Sequence, residues 1–245
     1  MKTKKIIEAG PLVLECIYPR GSAQDSLRQR AAKRQLSSEA QQRMNRKYSY
    51  QKLELMIAAN FRPGDWIVTL TYDDEHLPRD RAEAQERLKR FRGKLARARR
   101  RHGQQLRMIW NTETVFGQGR WHHHCIISRG GGRDFALLRS LWPWGINIEI
   151  HPLRIDRDHS FESLARYLCK EARERRGLRS WSSTRSCVKP RVDVCTVPDS
   201  AQLQPPKGAT IYEDEQRRTE FGSFRFVKYL VPDWRQYGRR RHGNA

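Results

Sequence analysis

Acidic residues are scarce in this 245-residue chain: 27 Asp and Glu stand against 49 Lys and Arg, a formal net charge of +22. An excess of that size goes far beyond what solubility requires and indicates a polyanionic partner, nucleic acid first. Cysteine is also sparse. Cys16, Cys125, Cys169, Cys187 and Cys195 are odd in number, scattered and never spaced as a CxxC pair. That pattern argues against a disulfide framework and a thiolate zinc site, and predicts free thiols in a reducing compartment. No run approaches the roughly 20 consecutive apolar residues that a bilayer crossing needs, so no membrane partner is expected. Residues 1–16 have basic side chains but no continuous apolar segment leading to a small-residue cleavage site, so a cytoplasmic location is predicted. There is no internal repeat, and no GxxxxGK[ST] phosphate loop that would signal an ATP-driven motor of that type.

What is present can build a core. Hydrophobic residues make up 37% of the chain, with seven Trp, eight Tyr and eight Phe, which excludes global disorder despite a mean hydropathy of -0.87. Residues 22–60 carry charges and apolar positions at helical spacing. Their Arg28, Arg30, Lys33, Arg34, Arg43, Arg46 and Lys47 fit either a nucleic-acid clamp or a solvated face. After the turn NFRPGD at 60–65, Trp66, Val68, Leu70 and Tyr72 alternate with Thr69 and Thr71, the signature of a strand. Residues 81–101 read as a helix with Leu88, Phe91 and Leu95 as its buried stripe and ten Lys or Arg against two Glu elsewhere. Strands are predicted over 106–115, 121–128 and 145–150, and helices near 134–141 and over 161–176. The short link between the strands at 106–115 and 121–128 makes them a hairpin.

This order predicts an α+β, ferredoxin-like core: a mostly antiparallel sheet with helices mainly on one face. The expected division is a basic helical N-terminal extension over 1–60, the core over 61–190, and a small β addition with a basic tail over 191–245. The C-terminal part rests on alternation at 191–197 and 209–231.

The chemistry concentrates in two places. His122, His123 and His124 lie within a strand, so His122 and His124 share one face about 7 Å apart while His123 points away. The pair can converge on one ion, and three histidines in a half-exposed strand without a ligand is the plainer alternative. A four-residue turn at 116–119 places Glu113 opposite His122 and Asn111 opposite His124, and a five-residue turn places Glu113 opposite His123. Two histidines and a carboxylate with open positions suit a divalent ion acting as a Lewis acid. In YLCK at 167–170, a spacing of three brings Tyr167 and Lys170 to one helix face, where the ammonium favours phenolate. An activated tyrosine can be a covalent nucleophile, and such a pair is also common on ordinary helix surfaces.

WIVTLTY at 66–72, then Glu113 and WHHHCII at 121–127, then YLCK at 167–170 stand in an order that resembles HUH-superfamily endonucleases, specifically rolling-circle replication initiators of small bacterial phages and plasmids. NFRPGD at 60–65 and STRSCVKP at 183–190 also look like that group, so the resemblance spans roughly 60–190. It implies a metal, Mg²⁺ or Mn²⁺, on His122, His124 and Glu113, with Tyr167 as nucleophile and Lys170 as its basic companion. His123 departs from the pattern, which usually has an apolar residue there. The implied activity is nicking and rejoining of single-stranded or hairpin origin DNA through a 5′-phosphotyrosine ester, with host helicase and polymerase as further partners. A single-tyrosine transposase or relaxase shares that chemistry, and a non-catalytic basic nucleic-acid-binding protein shares the charge. Arg185 and Lys189 are expected to contact phosphate, and Trp121 heads the aromatic candidates for base stacking, with Trp142, Trp144 and Trp181.

Overall fold

A computed structural model of the chain describes residues 1–20, 38–114, 120–155, 160–169, 180–219 and 222–232. In chain order the elements are β1 (Lys2–Ala9), β2 (Leu12–Pro19), α1 (Ser38–Asn60), β3 (Trp66–Thr71), α2 (Arg81–Arg100), β4 (Met108–Glu113), β5 (His122–Ile127), α3 (Asp134–Ser140), β6 (Ile148–Pro152), α4 (Glu162–Leu168), β7 (Ser182–Ser183), β8 (Arg191–Val197), β9 (Thr210–Thr219) and β10 (Gly222–Leu230). Two compact units result, Ser49–Val188 and Met1–Tyr48 with Lys189–Ala245. Among the described residues, no helix is long and apolar enough to cross a membrane.

The Ser49–Val188 unit is the α+β core. Its sheet runs β6-β3-β5-β4-β7 with every described pairing antiparallel. The succession β3-α2-β4-β5-α3-β6 on that order is the split ferredoxin-like arrangement. Alternation sorts the strands' side chains cleanly. Val68, Leu70, Met108, Cys125, Ile127 and Ile148 form one buried face, packed with Ala84, Leu88, Phe91 and Leu95 of α2 and Leu138 of α3. The stripe expected from the sequence is therefore the one buried.

Local chemistry sets the ends of α2. The Asp80 side chain accepts from the Glu83 backbone N–H at 2.8 Å, while the Glu83 carboxylate reaches back to the N–H of Arg79 at 2.9 Å, so two otherwise orphaned donors are satisfied. At the other end Arg99 is buried and paired with buried Asp134 at 2.8 Å. Asp134 also accepts from Trp66 Nε1 at 3.0 Å and from the Gly130 backbone at 2.6 Å. A Cβ on Gly130 would collide with the Arg99 guanidinium, so the glycine run that ends β5 makes room for this ion pair. Losing one partner of such a buried pair costs roughly 3–5 kcal/mol.

The structure corrects several expectations. Helices α2 and α3 share one face, but α4 reaches the other: Asn111 Nδ2, on the opposite side of β4, donates to the Leu168 carbonyl at 2.9 Å. The fourth core strand begins at Ile148, three residues later than predicted, because Gly145 lies tight against the Thr71 carbonyl, where a Cβ would not fit. The basic link after α4 contains a short strand, β7, paired with β4. Residues 170–179, which complete the predicted 161–176 helix, lie outside the described residues, as do 21–37, the 115–119 turn and the tail from 233.

The largest correction is at the N-terminus, where the expected helical extension opens as a hairpin of β1 and β2. Its two-residue turn has Gly10 at φ 61, the position where such turns take glycine. The C-terminal strands complete a five-stranded antiparallel sheet of order β8-β1-β2-β10-β9. Val13, Ile17, Leu203, Val227 and Tyr229 form its core. Tyr229 donates to buried Glu15 at 2.6 Å, and Lys4 pairs with the same carboxylate at 2.9 Å.

Candidate metal and nucleophile centre

Strand β5 lies between β3 and β4, and its register brings the site together. Glu113 is opposite His122, Asn111 is opposite His124, and Thr69 flanks His124 from β3. Of the two registers that the sequence left open, this is the one that juxtaposes Glu113 and His122. Because β-strand side chains alternate, His122 and His124 face one side and His123 the other.

His123 is fully buried on the helix-packed side. Its ring nitrogens lie 2.8 Å from the Tyr72 hydroxyl and 2.9 Å from Thr112 Oγ1, and the ring packs edge-on against Tyr72 and Trp142. A neutral imidazole satisfies both contacts, donating at one nitrogen and accepting at the other. Burial, with smaller contributions from His122 and His124, holds its pKa down at about 3. This histidine is a core residue.

On the opposite face one ligand atom from each of Glu113, His122 and His124 lies within 4.8 Å of the others. Glu113 Oε1 is 2.8 Å from His124 Nε2 and 3.1 Å from His122 Nε2, with the carboxylate almost fully buried. His122 Nδ1 lies 3.2 Å from the Arg120 carbonyl, which can only accept. Nδ1 therefore carries the proton, and Nε2 turns its lone pair toward the carboxylate. A buried carboxylate converging with imidazole lone pairs is stabilised by a cation, and two nitrogens with one oxygen fit a divalent ion with open coordination positions. The Glu113, His122 and His124 group can hold a metal ion.

Tyr167 projects from α4 onto this group. Its hydroxyl is 3.2 Å from His124 Nε2, and the two rings meet edge-on with centroids 5.2 Å apart. The side chain is 46% exposed, so the phenol is both tied to the ligand group and open to solvent. Lys170 lies outside the described residues.

Asn111 is the residue that the sequence reading placed but gave no task. Buried, it donates from Nδ2 to Glu113 Oε2 at 3.1 Å and to the Leu168 carbonyl at 2.9 Å, and its Oδ1 accepts from the His124 backbone at 3.3 Å. One amide thus connects the carboxylate, the histidine strand and the helix turn that bears Tyr167. Thr69 Oγ1 adds a contact of 3.3 Å to His124 Nδ1. The threonine alternation of β3 was the available signal for Thr69; for Asn111 it was the hairpin register.

The remaining predicted residues are not all brought to this group. Trp121 is half-buried and packs against the helix-side core. Trp142 is buried there, its indole N–H donating to the Thr71 carbonyl at 2.7 Å, so it presents no face for stacking. Arg185 and Lys189 are both exposed.

No curated protein and no solved structure matches the chain. Residues 65–174, the stretch from β3 through α4 that holds Glu113, His122, His124 and Tyr167, match the family model of the replication-associated protein ORF2.

Proposed function

We propose that the chain is a metal-dependent endonuclease and strand transferase that nicks and rejoins single-stranded DNA at a replication origin, starting rolling-circle replication. The supporting observation is the 3.2 Å approach of the Tyr167 hydroxyl to His124 Nε2, beside the Glu113 carboxylate. A nucleophile candidate and a metal-ligand set from three separate elements converge in one solvent-accessible place, inside a stretch that matches replication-associated proteins.

His122, His124 and Glu113 are assigned to hold the ion. Bound Mg²⁺ or Mn²⁺ supplies Lewis-acid polarisation of a non-bridging phosphate oxygen. Tyr167 attacks phosphorus in line: the bond from its phenol oxygen to phosphorus forms, and the bond from phosphorus to O3′ breaks. The phenol proton passes to solvent, and the departing oxygen takes up a proton to become a 3′-hydroxyl. The 5′ end stays on the protein as a phosphotyrosine ester. Because that ester conserves the bond energy, an incoming 3′-hydroxyl reverses the step and joins strands without ATP. Lys170 is assigned to favour phenolate, and exposed Arg185 and Lys189 to hold flanking phosphates. Host helicase and polymerase act on the nicked product.

The test is covalent capture. Wild type incubated with end-labelled origin-like single strands and Mn²⁺ or Mg²⁺ yields an SDS-stable protein–DNA band, and Tyr167→Phe yields none. Adduct formation by Tyr167→Phe at the wild-type level removes the nucleophile assignment, and salt-sensitive binding with no adduct from any strand leaves only a passive binder.

A further inference from the structure

We infer that the outer face of α2 is a second nucleic-acid surface, on the side of the sheet away from the ligand group, and that its occupant is the phosphate backbone of duplex DNA. The first observation is where anions are missing. Between Arg87 and Ile148 the chain has fourteen Lys or Arg and only two acids, Glu113 and Asp134. Both acids are buried, Glu113 among the histidines and Asp134 against Arg99. No carboxylate from this stretch reaches the surface to neutralise it.

The second observation is the arrangement of the cations. Arg90, Lys94, Arg97 and Arg101 recur at intervals of four, three and four residues, so they form one stripe of neighbours about 5–6 Å apart, extending roughly 16 Å along the helix. All four are exposed, and Arg100 lies beside them. Arg90 has a long contact of 3.8 Å with Glu86, whereas Lys94, Arg97, Arg100 and Arg101 have no ion pair among the described residues. Leu88, Phe91 and Leu95 anchor the opposite side of the helix in the core, which faces the sheet surface that carries His123 rather than His122 and His124. The stripe therefore cannot line the same groove as Tyr167.

The third observation separates duplex from single strand. Single-strand platforms combine cations with exposed aromatic faces on which bases stack. The only aromatic residue from 81 to 101 is Phe91, which is buried, and the neighbouring Trp110 ring is covered by the Arg92 guanidinium at 4.3 Å. A rigid row of cations without a stacking surface suits a rod that presents a negative charge about every 1.7 Å of its axis, which is what duplex DNA offers. Such a surface holds the double-stranded flank of an origin while the opposite face works on the extruded strand.

The measurement is duplex affinity against salt, with full-length protein in the Tyr167→Phe background, EDTA present, and a labelled 20-base-pair duplex of random sequence. It needs neither metal nor nucleophile, so it stands if the nicking reading fails. Replacing Lys94, Arg97 and Arg101 together by Gln, a good helix former, is expected to weaken binding at least about tenfold and to lower the slope of log K against log salt by about 2 to 3. Arg97→Gln alone lowers it by about 1, which keeps the test open if the triple variant folds poorly. A matched variant with Gln at Lys207, Arg217 and Arg218, exposed cations of the other unit, keeps the wild-type slope. With Tyr167 restored, the stripe variant captures a short single strand as wild type does. Equal losses from both triple variants show that net charge alone is at work, and equal losses on duplex and single strand show that the surface is not a duplex site; either result overturns the inference.

Discussion

Three consecutive histidines on β5 meet opposite fates on the two faces of one sheet. His122 and His124 look toward a buried carboxylate and a half-exposed phenol, where imidazole lone pairs are available to a cation. His123 looks into a layer of Val68, Leu70, Cys125 and α2, fully desolvated and held neutral by two hydroxyl groups. Residue type does not separate them. A one-residue step along a strand, which reverses the side-chain direction, does.

The comparison is broken most sharply by exchanging the losses. Glu113→Ala or His124→Ala is expected to lower metal-stimulated adduct formation at least about a hundredfold, since a Lewis acid contributes several kcal/mol to the transition state, with little change in the urea midpoint. His123→Ala should do the converse. It leaves a cavity and removes the partners of Tyr72 and Thr112, lowering stability by about 3 kcal/mol while the folded fraction still forms adduct. Equal loss of adduct from both variants at equal folded fraction would contradict the assignment of the two faces.

Asn111 sharpens the same contrast with a smaller effect. Asn111→Ala frees Glu113 Oε2, the Leu168 carbonyl and the His124 N–H from their shared partner, and is expected to reduce adduct formation by about 10- to 100-fold. A role in positioning predicts that more Mn²⁺ is needed for half-maximal rate while KM for DNA stays constant. An effect on KM alone contradicts it.

The smallest expected effect lies on the helix-packed side. Hydrogen bonds from the Arg79 backbone and the Arg87 and Arg79 side chains hold the Glu83 carboxyl down at about 2, against an ordinary value of 4.5. Its folded-state pKa is depressed, so its contribution is complete above about pH 4.5 and is lost as the pH falls toward 2. Glu83→Gln should flatten the stability profile across that window and leave the neutral-pH profile of adduct formation unchanged, which thermal midpoints between pH 2 and 6 will register.

Much of the core was legible in the sequence because its elements announce themselves locally. Trp66 to Tyr72 alternates, Leu88, Phe91 and Leu95 recur at helical spacing, and Asp80 with Glu83 supplies a helix start. The hairpin of β1 and β2 was not legible, because its stabilising neighbours β8 and β10 come from residues 191–197 and 222–230. A lysine-rich strand bordered by a long basic helical segment gives no sign of such distant pairing. Trp121 illustrates a different limit. Its position beside His122 in the sequence suggested a place beside the ligand group, but an odd step along the strand turns it to the helix-packed side.

By itself the sequence determined a basic, cysteine-poor α+β chain, the alternation that separates His123 from its neighbours, and the pairing of a histidine strand with a tyrosine helix. The tertiary structure decided what no local pattern specifies: the register that sets Glu113 against His122, the approach of Tyr167 to His124, the task of Asn111, and the side of the sheet on which the surplus charge of α2 emerges. The physical reason is that strand and helix periodicities follow from backbone geometry residue by residue. Contacts between separate elements depend instead on how buried faces pack, and here that packing links residues 43 and 57 positions apart.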